Sequence, residues 1–397
     1  MKYQKIGVFV TGGIAAYKVP QLVRDSIKSG FEVRVVMTKS ATDFVTPLTL
    51  ATVSKNPVLV DEAGISNDAK HIEHVSVAHW MDLAIVVPAT ANTIAKLAVG
   101  MADNLVTATL LAFNGPKLLV PAMNDQMWLN KQTQANVAHL SEFGFAILPP
   151  ATGQLAEGYA AVGRMPELDV ITLFIKSFRE EKILTGKKIL VSAGGTTEPI
   201  DPVRYLTNRS SGKMGTALAN AAAALGASVT LVTTKSLPVL PSVNVLQVSS
   251  ATEMHEQMIA SFTESDVTIM AAAVSDFRPE SASLTKIKKE SGSSTLDLSL
   301  IQNPDILADL GGKKVSGQYL VGFAAETNDL LENARTKLTK KNADLIIANN
   351  VSEGHGFDKA QNEVTLITQS DQKQLPEADK LALSFDILDF IAQQINH

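Results

Sequence analysis

The sequence lacks cysteine, since none of its 397 residues is a Cys. This absence excludes disulfide bonds, thiolate metal sites, iron–sulfur clusters and a cysteine nucleophile. Long apolar segments are also missing: no apolar run approaches ~18 residues, and no apolar segment precedes a small-residue cleavage site near the N-terminus. We therefore expect a cytoplasmic protein without a membrane partner.

Positive charge is in slight deficit. The chain has 35 Lys and Arg against 40 Asp and Glu, which gives a net charge of -5 and a pI near 5.9. Proteins that bind nucleic acids broadly need clustered basic residues that displace counterions from phosphates. Hydrophobic residues make up 45% and charged residues 19%, as in ordinary globular proteins. The composition favours a folded protein with small-molecule partners and no nucleic-acid partner.

The first half of the chain alternates short apolar runs with amphipathic stretches, which is the pattern of βαβ units around a parallel sheet. A strand at residues 6–10 leads into a Gly-Gly turn and a helix at 14–29, which Gly30 ends. Further elements are predicted as strands at 31–38, 83–88, 117–121 and 145–149 and a helix at 91–99. This half is expected to be doubly wound.

The pattern restarts after a charged, helix-like stretch at residues 176–182. A strand at 187–191 leads into Gly194-Gly195, and an alanine-rich helix is expected at 214–225. Further elements are predicted as strands at 228–233, 267–272, 320–323, 344–348 and 363–367 and a mobile surface loop at 281–295. The two strand–glycine openings predict two doubly wound, Rossmann-like α/β domains at 1–183 and 184–397, each of normal domain size.

Glycine-rich turns follow the first strand of each half. Such a turn before a helix can hold a phosphate, because the first amides of the helix point outward and glycine lets the ligand approach the backbone. Gly12-Gly13-Ile14 lacks the dinucleotide fingerprint, and Ser211–Met214 lacks the P-loop arrangement. Taken alone, either turn is equally explained by close packing of a helix on a sheet.

Three histidines, His71, His74 and His79, lie close together in the sequence. Their spacing is not that of a zinc helix, and no carboxylate pair nearby completes a ligand set. A solvated helix or loop explains the cluster without a metal. A single one of them acting as a general base remains open, since histidine titrates near physiological pH.

Several strings in the first half resemble the flavoproteins that decarboxylate terminal cysteine. They are GGIAAYK at 12–18, HVSVAHWMD at 74–82, PATAN at 88–92 and PAMN at 121–124. Strings in the second half resemble phosphopantothenate–cysteine ligase: DPVRY at 201–205, NRSSGKMG at 208–215, AAAVSDF at 271–277, KIKK at 286–289, NPD at 303–305 and GFAAET at 322–327. In this order, and over nearly the whole chain, they resemble the bifunctional phosphopantothenoylcysteine decarboxylase / phosphopantothenate–cysteine ligase family of coenzyme A biosynthesis.

The resemblance implies that the first half adopts the homo-oligomeric cysteine decarboxylase flavoprotein fold and binds FMN at an oligomer interface. The residues implied at the FMN phosphate and flavin are Gly12, Gly13, Ile14, Thr38, Thr90 and Asn92. Thr90 and Asn92 are equally explained by simple helix capping.

Two catalytic residues of the decarboxylase are implied by the resemblance. His74 stands six residues before Trp80, as the family pattern requires, and assists oxidation of the cysteinyl thiol to a thioaldehyde from which carbon dioxide leaves. Asn124 holds the substrate carboxylate or amide through its side-chain donors. Taken alone, Asn124 is as well explained by a turn.

The chain departs from the family at Glu157. Many relatives place a cysteine before Gly158, where it reprotonates the enethiolate product, and this chain has Ala156-Glu157-Gly158. Glu157 can donate this proton only if burial raises its pKa enough to keep it protonated. Tyr159 or water are the alternatives.

The resemblance implies a ligase that activates a carboxylate with CTP through an acyl-cytidylate, with Mg2+ screening the phosphates. Lys286 closes over the triphosphate from a loop, while Lys337 and Lys341 reach it from one helix face. Solvated lysines are the ordinary explanation of such runs.

The remaining ligase residues are also implied by the resemblance. Asp276 and Phe323 recognise cytosine, Asn208 binds the acyl-cytidylate across a dimer interface, and Arg204 contacts a phosphate. Taken alone, Asp276 is as well explained as a helix cap. The nucleotide is lined by Asn303, Pro304, Asp305 and Ile306.

We therefore expect a bifunctional enzyme that makes 4'-phosphopantetheine from 4'-phosphopantothenate, cysteine and CTP. One alternative is a ligase with an impaired decarboxylase half. Another is a non-catalytic flavoprotein that regulates phosphatases. An interfacial flavin and an interfacial Asn208 together predict trimers of the first domain linked by dimers of the second.

Overall fold

The computed structural model describes residues 4–60, 73–178, 181–288, 296–326, 330–350 and 361–395. His71 and the loop residues 289–295 lie outside this description. The chain divides into two compact units, Met1–Glu180 (unit 1) and Glu181–His397 (unit 2). Each unit is built around its own sheet.

In the described part of unit 1 there are eight strands and eight helices. The strands are β1 (Lys5–Val10), β2 (Glu32–Met37), β3 (Val58–Val60), β4 (Leu83–Ala89), β5 (Lys117–Pro121), β6 (Phe145–Ile147), β7 (Ala151–Gln154) and β8 (Ala160–Arg164). The helices are α1 (Val19–Lys28), α2 (Pro47–Ser54), α3 (Glu73–Trp80), α4 (Ala91–Ala98), α5 (Leu105–Ala112), α6 (Asp125–Leu129), α7 (Lys131–Glu142) and α8 (Leu168–Ser177), with short 3-10 helices at Ile14–Lys18 and Lys39–Asp43.

The sheet of unit 1 is parallel, with the strand order β3-β2-β1-β4-β5-β6. Val8 of β1 is paired with Val35 of β2 on one side and with Ile85 of β4 on the other. Strands β2 and β3 are added on one side of β1 and strands β4 to β6 on the other, so the order of strand addition reverses between β1 and β4. Ligands of open α/β sheets bind outside the carboxyl ends of the strands at such a reversal.

Both faces of this sheet are buried. Along β1, Val8 and Val10 belong to a core cluster that includes Leu22 of α1, while Phe9 belongs to a second cluster that includes Leu110 of α5. Successive strand residues point to opposite faces, so these two clusters lie on either side of the sheet. The predicted doubly wound α/β class is confirmed.

The helix predicted at 14–29 is two elements. A 3-10 helix covers Ile14–Lys18, and α1 begins at Val19 with Pro20 in its first turn. Proline has no amide hydrogen and fixes its own backbone angle, so it belongs at a helix start and interrupts a continuous α-helix. The charged helix-like stretch at 176–182 is wrong in its bounds, since α8 ends at Ser177.

Twelve strands and five helices form unit 2 within the described ranges. The strands are β9 (Lys188–Ala193), β10 (Thr197–Pro199), β11 (Tyr205–Thr207), β12 (Ser228–Thr233), β13 (Val243–Gln247), β14 (Val267–Met270), β15 (Phe277–Pro279), β16 (Leu300–Gln302), β17 (Tyr319–Glu326), β18 (Leu345–Asn350), β19 (Gln361–Ile367) and β20 (Gln372–Asp379). The helices are α9 (Lys213–Ala224), α10 (Ala251–Phe262), α11 (Ile306–Lys313), α12 (Leu330–Lys340) and α13 (Lys380–Ile395).

The main sheet of unit 2 has the order β13-β12-β9-β14-β17-β18-β19-β20. Its first six strands are parallel, and β19 and β20 add an antiparallel edge. The alanine-rich α9 lies close against this sheet: a Cβ atom on Gly215 would come within 2.7 Å of the Ser192 carbonyl oxygen. Small side chains are therefore required where α9 crosses β9.

No helix of the described chain combines the length and the apolar character that crossing a bilayer requires.

Candidate active sites

A cavity of about 1260 Å³ lies in unit 1 at the carboxyl ends of the strands. Its lining includes all the residues predicted for FMN, namely Gly12, Gly13, Ile14, Thr38, Thr90 and Asn92, together with Asn124 and Glu157. Cofactor sites in proteins are typically clefts of roughly 300–1,000 Å³. The cavity is therefore large enough for a cofactor and a substrate together.

Thr11, which lies between β1 and Gly12, links the ends of β1 and β4. Its hydroxyl donates to the Pro88 carbonyl oxygen (2.6 Å) and accepts from the backbone N–H of Thr90 (3.1 Å). The chain that leaves β1 is thereby fixed to the chain that leaves β4. Sequence reasoning missed Thr11, although its place directly before the Gly-Gly turn was a signal.

The turn after β1 has no room for a side chain at Gly12. A Cβ atom on Gly12 would lie 2.3 Å from the Ser40 Oγ, and Gly13 caps the following 3-10 helix without any side-chain hydrogen bond. The first amides of that helix are consequently left without a side-chain cap. This arrangement suits a bound phosphate.

Thr90 has both of the roles considered for it. Its hydroxyl caps α4 by accepting from the Thr93 backbone N–H (3.4 Å), and the residue also lines the cavity. Asn92 lies exposed in the first turn of α4 and lines the same cavity. Helix capping and a place beside the ligand are compatible for Thr90.

Asn124 lies at the end of β5 and points its amide donors at the β7–β8 hairpin. Its Oδ1 caps α6 by accepting from the Gln126 backbone N–H (2.9 Å). Its Nδ2 donates to Glu157 Oε1 (2.8 Å) and to Tyr159 Oη (3.1 Å). The cap fixes the amide so that its donors face the hairpin and the cavity.

Asp125 completes this cluster, and sequence reasoning missed it. Tyr159 donates its phenolic hydrogen to Asp125 Oδ1 (2.6 Å), and Asp125 is buried. This hydrogen bond lowers the pKa of Asp125 and raises the pKa of Tyr159. The Tyr159 proton is therefore directed at Asp125, which makes Tyr159 a poor source of a proton for a substrate in the cavity.

Glu157 lies at the exposed tip of the β7–β8 hairpin, in a turn closed by Gly158 with a φ of 90°. The burial that the proton-donor hypothesis requires of Glu157 is absent from this arrangement. Its hydrogen-bond partner is Asn124, which is the residue predicted to hold the substrate.

His74 lies in the first turn of α3, half-buried, and is not part of the cavity lining. The structure therefore does not bring His74 together with Asn124 in the cavity of one chain.

In unit 2, three predicted residues meet on the segment that follows β14. Asn208 Nδ2 donates to the Val274 carbonyl oxygen (3.1 Å), and the Asn303 backbone N–H donates to the Asp276 carbonyl oxygen (2.8 Å). Asn303 is buried, and its Nδ2 donates to the Ser275 carbonyl oxygen (2.8 Å). Asp276 precedes strand β15, so its interpretation as a helix cap is wrong.

A second group of predicted residues joins β17, α11 and α12. Lys337 Nζ donates to the Phe323 carbonyl oxygen (2.7 Å), and Lys341 forms an ion pair with Asp305. Burial is the largest single influence and raises the pKa of Asp305. The hydrogen bonds from Lys341 and from the Ala308 backbone N–H, together with the charges of Lys341 and Lys337, outweigh it, so the net shift is downward. Asp305 also caps α11, whose first residue is the buried Ile306; Pro304 lies between Asn303 and this cap.

Arg204 and Lys286 are brought near each other along the chain that surrounds Ile287. Arg204 forms an ion pair with Asp201, and its Nη2 donates to the Ile287 carbonyl oxygen (2.9 Å). Lys286 is exposed. The described part of the loop predicted at 281–295 is thus anchored rather than loose.

No group of three or more His, Asp or Glu side chains suited to a metal ion occurs within the described ranges.

Family models divide the chain as the two units do. Residues 1–180 match the flavoprotein family, and residues 184–395 match the DNA/pantothenate metabolism flavoprotein C-terminal domain. A doubly wound flavoprotein domain followed by a pantothenate-metabolism domain is the class of protein that the fold and sites define.

Relatives with both domains extend this result. The chain is 45% identical over 399 residues to the coenzyme A biosynthesis bifunctional protein CoaBC of Vibrio vulnificus (strain YJ016), covering 99% of this chain and 98% of the relative. It is 43% identical over 390 residues to the protein of the same name from Bacillus subtilis (strain 168), covering 96% and 95%. The chain therefore belongs to the family of bifunctional coenzyme A biosynthesis enzymes.

A solved C-terminal domain of a coenzyme A biosynthesis bifunctional protein CoaBC is 38% identical, with 54% of this chain and 99% of that chain covered and a TM-score of 0.47. Membership of the bifunctional family rests on the sequence relatives. It supports an enzyme rather than a non-catalytic regulatory flavoprotein.

Proposed function

We propose that residues 184–397 join 4'-phosphopantothenate to cysteine with CTP, and that residues 1–183 decarboxylate the product to 4'-phosphopantetheine with FMN. The observation that carries the proposal is the cavity of unit 1, which gathers every residue predicted for FMN beside Asn124. Family membership over both domains supports the pairing of the two activities.

FMN fits the cavity of unit 1 on two grounds. A side chain at position 12 would fill the turn beside Ser40, and the 3-10 helix that starts at Ile14 leaves its first amides uncapped for a phosphate. When bound, FMN would supply hydride chemistry, by accepting a hydride equivalent from the substrate and later returning it. Thr38, Thr90 and Asn92 line the cavity at the ends of β2 and β4 and would hold the group there.

Asn124 orients the substrate in the decarboxylase. Its Nδ2 leaves Glu157 and Tyr159 and donates to the carboxylate or amide of phosphopantothenoylcysteine. His74 would accept the thiol proton, while bound FMN would supply the two-electron oxidation that removes the hydride from the adjacent carbon and gives the thioaldehyde. The thioaldehyde sulfur would then draw the electron pair of the breaking carbon–carbon bond as carbon dioxide leaves. Glu157, which accepts from Asn124 at the tip of the β7–β8 hairpin, is the group proposed to return the proton to the enethiolate.

A second copy of unit 1 completes this site. His74 is absent from the cavity lining, while Ile14, Tyr17 and Met127 on the cavity wall expose 61%, 61% and 49% of their surface. Large apolar side chains exposed together are typical of an interface. We therefore place the active site between neighbouring copies in a trimer, with dimers of unit 2 linking trimers.

The ligase reaction proceeds in two displacements. A carboxylate oxygen of 4'-phosphopantothenate attacks the α-phosphorus of CTP and pyrophosphate leaves; the cysteine amine then attacks the acyl carbon, loses a proton, and CMP leaves. Lys286, Lys337 and Lys341 screen the phosphates, and Asn208 holds the acyl-cytidylate. Asp276 and Phe323 bind cytosine, while the chain from Asn303 through Pro304 and Asp305 to Ile306 lines the nucleotide.

Mg2+ enters this scheme on the nucleotide. The ion usually keeps several waters and is held by substrate phosphates together with one or two carboxylates. The described part of unit 2 contains no three-carboxylate cluster that would hold it independently of CTP.

Mass spectrometry of the products tests the proposal. Purified full-length protein is mixed with 4'-phosphopantothenate, cysteine, CTP and Mg2+, and omission of CTP is the control. Formation of 4'-phosphopantetheine supports both activities. A product that stops at the cysteine adduct leaves the ligase and supports the impaired decarboxylase instead; no product at all contradicts the proposal.

A further inference from the structure

The carboxylate of Asp201 has no solvent-exposed surface and is surrounded by donors. Its Oδ1 accepts from the backbone N–H groups of Val203 and Arg204, both at 2.8 Å. Its Oδ2 accepts from Arg204 Nε (3.0 Å), from Arg204 Nη2 and from the Ile287 backbone N–H (3.1 Å). These donors hold the pKa of Asp201 far below its ordinary value, with Arg204 as the largest cause.

The backbone of Ile287 is held at both its N–H and its carbonyl group. Asp201 accepts from the N–H of Ile287, and Arg204 Nη2 donates to the carbonyl oxygen of the same residue (2.9 Å). Four residues earlier, the Ser283 N–H donates to the Ile200 carbonyl oxygen (2.9 Å). The stretch from 283 to 287 is therefore attached at both ends to the segment 200–204.

Lys286 lies between these two attachments, directly before Ile287. Its side chain is exposed, and it makes no ion pair with any residue in the described ranges. A lysine on a long unattached loop would spread its ammonium over a large volume. Fixing the adjacent peptide restricts that volume while leaving the ammonium available.

We propose that Asp201 and Arg204 are positioning residues. They place Lys286 over the nucleotide phosphates by fixing the backbone of Ile287 through hydrogen bonds to its N–H and its carbonyl group. This inference rests on the proposed ligase function. It assigns the Arg204 guanidinium to Asp201 and Ile287 rather than to a phosphate. Asp201 orients Arg204 through the ion pair, and Arg204 in turn fixes the Ile287 carbonyl group of the loop.

A double-mutant cycle with Lys286 separates this role from direct phosphate binding. The full-length protein is used, and ligase kcat and KM for CTP are measured for Arg204→Gln, Lys286→Ala and the double variant. Because a misplacement of about 1 Å can cost on the order of a hundredfold, we expect Arg204→Gln to lower kcat/KM by roughly tenfold to a hundredfold.

In the Lys286→Ala background, the further effect of Arg204→Gln should be less than about twofold, since a positioning residue has nothing left to position. If Arg204 binds phosphate directly, its substitution costs the same factor with or without Lys286. An undiminished effect in the double variant overturns the proposal.

Arg204→Lys is the second discriminating variant. Lysine keeps the positive charge but cannot grip the carboxylate through two nitrogens while also donating to the Ile287 carbonyl. We expect Arg204→Lys to lower ligase kcat/KM nearly as much as Arg204→Gln does. Activity rescued by lysine to near that of the unchanged protein would indicate a phosphate contact through charge and would contradict the positioning role.

Hydrogen exchange gives a readout that does not depend on activity. In Asp201→Asn, peptides that cover 283–288 should exchange faster, while peptides from β9 and β12 should keep their protection. Unchanged exchange at 283–288 overturns the proposal. Lys188→Ala, which removes only the exposed ion pair with Glu264, is the matched control and should change neither exchange nor ligase activity.

The same preparations report on the proposed function separately. Decarboxylation of phosphopantothenoylcysteine should be unaltered in every unit 2 variant, which controls for protein amount. If the unchanged protein forms neither the cysteine adduct nor 4'-phosphopantetheine, the ligase assignment fails, whereas the exchange experiment still decides whether Asp201 and Arg204 fix the loop.

Discussion

The phenolic hydroxyl of Tyr159 donates a 2.6 Å hydrogen bond to the buried carboxylate of Asp125. The two residues are 34 positions apart in the chain, so the contact ties the β7–β8 hairpin to the start of α6. It orients the Tyr159 oxygen to accept from Asn124. Tyr159 and Asp125 thereby align Asn124, the residue predicted to bind the substrate, without having to contact the substrate themselves.

Asp125→Asn should release this alignment. The folded protein raises the pKa of Tyr159, so its hydrogen bond to Asp125 stabilises the fold at pH values below the ordinary tyrosine pKa of about 10. This stabilisation is lost as the pH rises through the higher pKa of the folded state. Without the carboxylate, the Tyr159 pKa should move down toward about 10. Ultraviolet absorbance of phenolate, followed as a function of pH, measures this pKa. The titration of a Tyr159→Phe protein is subtracted, because it contains only the other four of the 5 tyrosines.

We expect Asp125→Asn to lower decarboxylase kcat/KM by roughly tenfold, because the Tyr159 oxygen that accepts from Asn124 is then no longer held in place. Ligase activity of the same preparation is the control. An unchanged Tyr159 titration would show that Asp125 does not govern the hydroxyl.

Glu157→Gln tests the proposed proton donor. The amide keeps the shape of the side chain but has no acid proton, so the reaction should stall at the oxidised enethiol stage. Mass spectrometry distinguishes this species from 4'-phosphopantetheine by two hydrogens. Unchanged turnover would eliminate Glu157 as the donor and favour water, since the Tyr159 proton is committed to Asp125.

Gly12→Ala should abolish flavin binding. The new Cβ atom would lie 2.3 Å from the Ser40 Oγ and 3.0 Å from the Ser40 backbone carbon, so the turn after β1 has to move. Flavin absorbance of the purified protein measures the loss. Gly312→Ala is the matched control because its Cβ would meet nothing within 4 Å, and flavin content should be unaffected. Full flavin content in Gly12→Ala would exclude this turn as the phosphate site.

Subunit complementation tests whether the decarboxylase site is shared between copies. His74→Gln and Asn124→Asp should each be inactive alone. After the two variants are mixed 1:1 and allowed to exchange, about a quarter of the sites should combine an unchanged His74 with an unchanged Asn124 from different copies. Mixtures that remain inactive, despite mass-spectrometric proof of exchange, would show that both residues act within one chain.

Sequence periodicity predicted the strands well where both faces are buried. The strand predicted at 117–121 matches β5, and the strand predicted at 228–233 matches β12. Continuous apolar runs mark such strands without any knowledge of their neighbours. The helix predicted at 14–29 failed because its apolar spacing continued through Pro20, whose local geometry decided the break.

Family strings located the residues of both sites but not their partners. They selected Arg204 as a phosphate contact, whereas the structure joins Arg204 to Asp201 and to Ile287, 83 positions later. They likewise identified Asn124 without Asp125. Motifs preserve which residue types occur along the chain, but a hydrogen bond depends on where the fold carries each end.

The sequence by itself determined the two doubly wound domains and the order of their activities, because hydrophobic period and motif order are properties of neighbouring residues. It also determined that no cysteine serves as the proton donor. Only the tertiary structure decided that Glu157 is exposed against Asn124 and that His74 lies outside the cavity lining of its own chain. Exposure and contact between distant residues follow from how strands and helices pack in three dimensions, and no local pattern encodes that packing.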